Sequence, residues 1–373
     1  MGSGVASRRS PRTRFERFLS ESVSISVFRE EPTHCLAGSL NGALRPCLFR
    51  EGVFDGSYSL TLDMKNAFSI TTALGLFGAG LLAMVFTACS SGPASETVSV
   101  MLLTGQSSKY HDWKLSSALV QKHLEAVDHF EVTKVISPPQ GSDMSGFQPS
   151  FAGFDVIVLD YEGDAWPEST KRAFENFVKE GGGLVSVHAT DNAFADWNAF
   201  NEMIGVGGWG GRGDDFGPKI HWFEGDLALL NTPGSAMHPP KHDFEVVTRD
   251  PDHPVMRGLP KRWMHANDEI YSRLRGPAIN VTILATAQAD MSLVDRGTPN
   301  HEPMLMDIRY GKGRVFHTTL GHCNQNDDMN VLSLNSVGFI VTLQRGTEWA
   351  ATGEVTQAVP NDFPGPEAVS IRN

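Results

Sequence analysis

The sequence has little cysteine: four in 373 residues, at positions 35, 47, 89 and 323, none in a C-x-x-C pair. That excludes a disulfide-stapled scaffold, a zinc finger and a thiol-exchange motif. Positive charge is also short, with 31 Lys and Arg against 43 Asp and Glu and a formal charge of -12. Such a field repels polyanions, and beyond the Arg-rich first residues there is no basic stripe on which a nucleic acid could settle. No internal repeat and no heptad pattern is present. What is abundant is apolar material, 40% of the chain, which supports a sizeable core and excludes disorder throughout. Histidine is also plentiful, with 13 copies.

The first 63 residues carry Arg8, Arg9, Arg12, Arg14 and Arg17 with no sustained helical or strand period behind them, and are expected to be a disordered or mis-annotated extension. From Met64 the character changes. Lys65 precedes an apolar run from Ala67 to Ala88 that ends in Phe86-Thr87-Ala88-Cys89 and is followed by Ser90, Ser91 and Gly92. A cationic start, an apolar stretch and small residues before a cysteine resemble the signal segment of bacterial lipoproteins, in which the cysteine, here Cys89, is lipidated. Phe86 stands where leucine is usual. A run of about 22 residues also suffices to cross a hydrocarbon core, so an uncleaved anchor helix is the competing reading. Both readings predict a folded part outside the cytoplasm: in the bacterial envelope or periplasm, anchored, or secreted.

After a Ser/Gly/Pro linker, residues 90–96, strand-like and helix-like segments alternate. Strands are expected at Thr97–Leu103, Phe130–Ile136, Phe154–Asp160 and Leu184–Val187. Between them lie a helix capped by Asp112 and carrying Trp113, Val120, Leu124 and Val127, and a second opened by Pro167 and closed by Gly181-Gly182-Gly183. This alternation predicts an α/β fold with a parallel sheet covered on both faces, and ligands bound beyond the carboxyl ends of the strands at Thr104, Asp160 and His188. The second half reads as irregular and β-rich, with strands at Phe244–Thr248, Val281–Thr286, Met304–Tyr310 and Val315–Thr319 and a closing helix at Asn330–Leu343. One domain spans about residues 97–348, and the proline-containing tail, 349–373, is expected to be irregular.

Several histidines stand where strands end or loops begin: His111, His188, His221, His253, His265, His301, His317 and His322. Isolated histidines more often serve as structural hydrogen-bonders. Position distinguishes three of them, because His188, His111 and His322 all follow strands whose ends are expected to share one crevice.

Four motifs then stand in order: Gly181-Gly182-Gly183-Leu184-Val185-Ser186-Val187-His188, Asp252-His253-Pro254-Val255 with Gly258-Leu259-Pro260, Asp268-Glu269-Ile270-Tyr271, and Tyr310-Gly311-Lys312-Gly313-Arg314-Val315-Phe316-His317-Thr318-Thr319-Leu320-Gly321-His322. With them the chain resembles the ThuA-like family from about Val98 to Leu343. The resemblance implies a flavodoxin-like sheet similar to class I glutamine amidotransferases, and a link to trehalose utilisation and disaccharide catabolism. In the amidotransferase relatives the turn after the corresponding strand holds a cysteine nucleophile, whereas here it reads His188-Ala189-Thr190-Asp191. Cys323, the only cysteine of the folded part, is expected to be a small buried residue. Thiol-based glutamine hydrolysis is therefore not expected.

What remains is a set of imidazoles and carboxylates, His188, Asp191, Glu269, His322 and His111. Tyr271, Trp209, Arg212 and the strand-end Asp160 are candidates to bind substrate. Such a set suits general acid/base chemistry, in which a histidine near pKa 6.5 accepts a proton and a half-buried glutamate acts as acid. It equally suits a divalent metal such as zinc, although the H-E-x-x-H spacing is missing. Trp166, Trp197, Trp209 and Trp222 lie in or beside expected loops, where an indole can stack on a sugar ring, and Asp214 and Asp215 can hydrogen-bond hydroxyls. The Asp268-Glu269 pair has a rival role as a surface ion pair with Arg273 or Arg275. Three functions follow: a hydrolase or lyase acting on a disaccharide or keto-glycoside, a non-catalytic sugar-binding lipoprotein, and a partner-binding envelope module.

Overall fold

In a computed structural model the chain is described over residues 97–292 and 296–372. The extension, signal segment, Cys89 and linker read above lie outside the described residues. The elements in chain order are β1 (Val98–Thr104), α1 (Trp113–Glu125), β2 (Phe130–Ile136), β3 (Val156–Leu159), α2 (Glu168–Lys179), β4 (Gly183–Val187), α3 (Asn198–Ile204), β5 (Lys219–Phe223), β6 (Asp226–Leu230), β7 (His242–Thr248), β8 (Arg262–Asp268), β9 (Val281–Ala287), β10 (Glu302–Tyr310), β11 (Gly313–Thr318), α4 (Leu332–Asn335) and α5 (Val337–Thr352). Among the described residues no helix is long and apolar enough to cross a membrane.

Local chemistry sets the helix ends. Asp112 accepts the backbone N–H groups of Lys114 and Leu115 and so satisfies two orphan donors of α1. Pro167 precedes α2, and after it Gly181 takes φ +124°, a conformation that glycine reaches without steric cost. The expected closing helix is instead two: Ser336 is extended at ψ 127° and separates α4 from α5, which runs on to Thr352.

Nine strands form one sheet in the order β2-β1-β3-β4-β11-β10-β9-β7-β8, and β5 and β6 form a separate hairpin. The first five are parallel. The remaining pairings are antiparallel, so the sheet is mixed and not the all-parallel one expected. The physical reason lies in short connections. Tyr310 and Gly313 pair across the Gly311 turn, and a link of that length joins antiparallel strands only, since a parallel return needs a crossover of a dozen residues or more. Beyond β11, the strands β10, β9, β7 and β8 extend the sheet antiparallel.

Alternate residues of the parallel strands feed two cores. Val100, Leu102, Val156, Val158, Val185 and Phe316 pack on one face with Leu119 and Val120 of α1 and Phe339 and Leu343 of α5. Met101, Leu103, Ile157, Leu159, Leu184 and Val315 pack on the other with Phe174 and Val178 of α2 and Phe200 of α3. Both faces are therefore covered by helices, and buried strands on such a sheet read as near-continuous apolar runs. The expected tail, 349–373, begins as the last turn of α5; beyond Thr352 it is irregular but fastened: Val355, Val359 and Phe363 pack on the first core, and Val337 donates to the Ser370 carbonyl.

Candidate functional site

The site grows from two adjacent strand ends. Val187, the last residue of β4, is in register with Thr318, the last of β11. The next residues, His188 and Thr319, are therefore neighbours, and His188 Nδ1 donates to the Thr319 carbonyl at 2.6 Å. His188 sits at φ +43°, an uncommon conformation for a residue with a side chain and one that clusters at functional turns. From Thr319 the chain turns through Gly321 at φ +110°, where a side chain would press on Phe339 and Leu334, and delivers His322.

A third segment arrives from the end of β1. Ser107 Oγ and the Gln325 amide both donate to the His111 carbonyl, and Asp112 N–H donates to the Cys323 carbonyl, so this loop is stitched to the turn that carries His322. Asp268, ending β8, fixes the remaining piece. It accepts the backbone N–H groups of Gly321 at 2.7 Å, His322 at 3.1 Å and Glu269 at 2.8 Å, and His265 Nε2–H at 2.7 Å. Burial alone would raise this carboxyl, but the hydrogen bond and charge of His265 overcome it and hold Asp268 near pKa 2.

His111, His188 and His322 present one ring nitrogen each within 4.8 Å of one another. Their outer nitrogens fix the tautomers. Nδ1 of His188 meets a carbonyl, Nδ1 of His111 meets Glu162 Oε2 at 2.9 Å, and Nε2 of His322 meets Asn324 Oδ1 at 2.9 Å. Each partner accepts only, since the Asn324 amide nitrogen is turned to Asp327. The protons therefore sit on those outer nitrogens, and lone pairs remain on His111 Nε2, His188 Nε2 and His322 Nδ1. Burial lowers His188 well below its ordinary value and His322 to about 4, so both stay neutral at physiological pH. Burial would raise Glu162, but its hydrogen bonds from His111 and Ser108 and the electrostatic pull of His111 together outweigh this and hold it below the usual range.

Two acids complete the centre. Tyr271 is buried, with its hydroxyl 2.8 Å from His188 Nε2 and 3.4 Å from His111 Nε2. Glu269 Oε2 lies 3.2 Å from His322 Nδ1 and its Oε1 3.3 Å from His238 Nδ1. Burial, and then the Asp268 charge, push Glu269 up to about 8, so it carries its proton at neutral pH. Partly exposed groups form the mouth: His111, Glu162, His238 and Trp209, whose indole meets the Tyr271 ring edge-on at 4.7 Å. Asp160 lines the same narrow cavity as His111 and His188, with its carboxyl raised to about 6 by burial and bonded by Ser116 Oγ at 2.7 Å.

Other expected site residues point elsewhere. Arg212 is buried and donates to the carbonyls of Asn192, Ala193 and Gly208 and to Asn201 Oδ1, which makes it a brace for the glycine-rich loop and not a hydroxyl-binding group. Asp191 is fully buried and faces His317 Nε2 at 3.7 Å rather than the three imidazoles. Trp166 and Trp197 are buried together among Phe174 and Phe194, away from any sugar-stacking surface. Trp222 meets the Arg249 guanidinium. Asp214 is the partner of buried Arg275 at 2.8 Å, so the expected surface pair with Asp268 or Glu269 does not form. Cys323 is buried and burial pushes its thiol up to about 12, which leaves no thiol nucleophile among the described residues.

Glu162, His238, Asn324 and the organising role of Asp268 were not read from the sequence. Glu162 stands two residues past a strand-end acid, which is a usable signal. His238 lies in an irregular loop with none.

Comparison with known proteins adds the family. A family model described as ThuA, trehalose utilisation, matches residues 99–350. A solved ThuA-like protein from Parabacteroides merdae is 43% identical, with a TM-score of 0.70 over 74% of this chain and 98% of its own. Another from Bacteroides uniformis is 14% identical over 71% of this chain and 98% of its own, at a TM-score of 0.47. No protein of curated function matches the sequence. With the match covering nearly all the described residues, the chain belongs to the ThuA family, whose description ties it to carbohydrate metabolism.

Proposed function

We propose that this protein is an extracytoplasmic enzyme that cleaves or modifies a small carbohydrate, a disaccharide or keto-glycoside, by histidine and carboxylic acid chemistry. The observation that carries the reading is the Glu269 carboxyl, pushed up to about 8 by burial and the Asp268 charge, 3.2 Å from the His322 imidazole within a cluster of three. An acid and a base poised together at neutral pH are what C–O cleavage requires. Glu269 gives its proton to the departing glycosidic oxygen as the C–O bond breaks. One of the imidazoles takes a proton from the attacking water or, in a keto-sugar, from the carbon beside the ketone. The Tyr271 hydroxyl, 2.8 Å from His188, holds an oxygen of the sugar or relays that proton. Trp209, partly exposed at the mouth, offers an indole face to a sugar ring. The carbohydrate class rests on the family, and the location on the signal-like run that ends at Cys89.

The test supplies the purified protein with disaccharides and their keto forms, with and without divalent metal, and compares His188→Ala and Glu269→Ala. Turnover of one sugar that falls by at least about 100-fold in both variants is expected. Folded wild-type protein that turns over none of them would sink the reading. Calorimetric sugar binding that survives both substitutions, with no product, would make the protein a sugar binder instead.

A further inference from the structure

We infer that His111, His188 and His322 form a three-imidazole centre for one divalent first-row transition cation, of the class of zinc(II) and cobalt(II). Their inner lone pairs, on Nε2, Nε2 and Nδ1, converge from three separate segments of chain. Imidazoles sharing one tetrahedral cation at about 2.0–2.1 Å stand about 3.3 Å apart, and His188 Nε2 and His322 Nδ1 already lie 3.1 Å apart. Each of these two nitrogens accepts, so they repel. The single Tyr271 hydroxyl proton can serve either His188, at 2.8 Å, or His111, at 3.4 Å, but not both. A cation among them satisfies three lone pairs at once and reverses the repulsion.

The surroundings point the same way independently. A metal-bound histidine almost always donates its other N–H to a carboxylate, carbonyl or similar oxygen, which fixes its tautomer and aim. Here all three do so, to Glu162, the Thr319 carbonyl and Asn324. Three histidines serving only to fill the core would not each need an anchored outer nitrogen and an inner one turned toward the same point. Three protein ligands leave a fourth position open, the arrangement of catalytic sites in contrast to closed structural ones, and imidazole donors suit zinc, copper, iron or nickel over magnesium or calcium. The inference deepens the proposed function by naming a cation for the same site: with it bound, the three imidazole lone pairs would be used in ligation and the cation would supply the water activation that an imidazole base supplies without it, yet its test is independent of turnover.

The full-length protein is stripped with a chelator and titrated with cobalt(II), following visible ligand-field absorption, metal content and the thermal midpoint. One cobalt per chain and a raised midpoint are expected, because a ligand bound only by the native state stabilises it. Both should be lost in His188→Ala and His322→Ala. They should also be lost in His111→Gln, a change at the partly exposed mouth that keeps the native circular dichroism. Glu162→Gln should retain one cobalt and bind it about 10–100-fold more weakly. Folded wild-type protein that takes up no cobalt, or uptake unchanged in His111→Gln, would overturn the inference. Sugar turnover by the chelated protein without cobalt uptake removes the metal centre and leaves the proposed function standing. One cobalt per chain with no turnover of any sugar does the reverse.

Discussion

The Asp268 carboxylate accepts the backbone N–H of His322 at 3.1 Å across 54 residues of sequence. The same group holds Glu269 N–H and Gly321 N–H, so one buried anion ties the segment that carries the candidate acid to the turn that carries a candidate base. Its charge also raises Glu269. Position and protonation at the site thus depend on a residue that is itself fully buried.

Asp268→Ala leaves His265 and three backbone donors without their buried acceptor. A loss of about 3–5 kcal/mol is expected, as for breaking other buried charged pairs. Urea denaturation reads it directly, and a midpoint equal to wild type would remove Asp268 from this organising role.

Arg212→Ala should act on stability and not on substrate affinity. The guanidinium is buried and bonded to four oxygens, so its removal is expected to cost about 3 kcal/mol, with KM changed by less than about threefold. A large rise in KM at unchanged stability would restore it as a sugar-binding group.

Tyr271→Phe removes the hydroxyl facing His188 and keeps the buried ring. A fall in kcat of about 100-fold is expected, with little change in thermal midpoint. Equal kcat values for the two proteins would exclude the hydroxyl from proton transfer.

Acid stability should carry the signature of His123. Burial lowers its pKa to about 4, against about 6.5 in the unfolded chain. The unfolded state therefore binds the extra proton first as pH falls, and stability is full above about pH 6.5 and declines toward pH 4 by about 3 kcal/mol from this group. In His123→Gln that part of the slope should vanish when urea midpoints are compared at pH 7 and pH 4.5. An unchanged slope would count against it.

Gly346 lies where α5 crosses β11, and a Cβ there would overlap the Phe316 ring. Gly346→Ala is expected to destabilise by about 1–3 kcal/mol through overpacking. Pairing it with Phe316→Leu should recover part of that loss, and a pair whose effects simply add would refute the contact as the cause.

Much of the parallel half was legible because its signals are local. Apolar runs, the Asp112 cap, Pro167 and the glycines after α2 fix elements through neighbours a few residues apart. The β5–β6 hairpin and β8 were missed: β6 is only partly buried, and β8 mixes Trp263 and Ala266 with Arg262, His265, Asn267 and Asp268, so neither shows a clean period. Strand-end position also singled out His188, His111 and His322.

By itself, the sequence determined the alternation of strands and helices, the absence of a thiol at the β4 turn and the family motifs, because each depends on residue type and short spacing. Only the tertiary structure decided that Val187 and Thr318 end in register, and that three imidazoles turn their inner nitrogens toward one point while Arg212, Asp191 and Trp166 turn inward. The direction of a loop side chain is set by strands packed from far along the chain, and no local pattern carries that information.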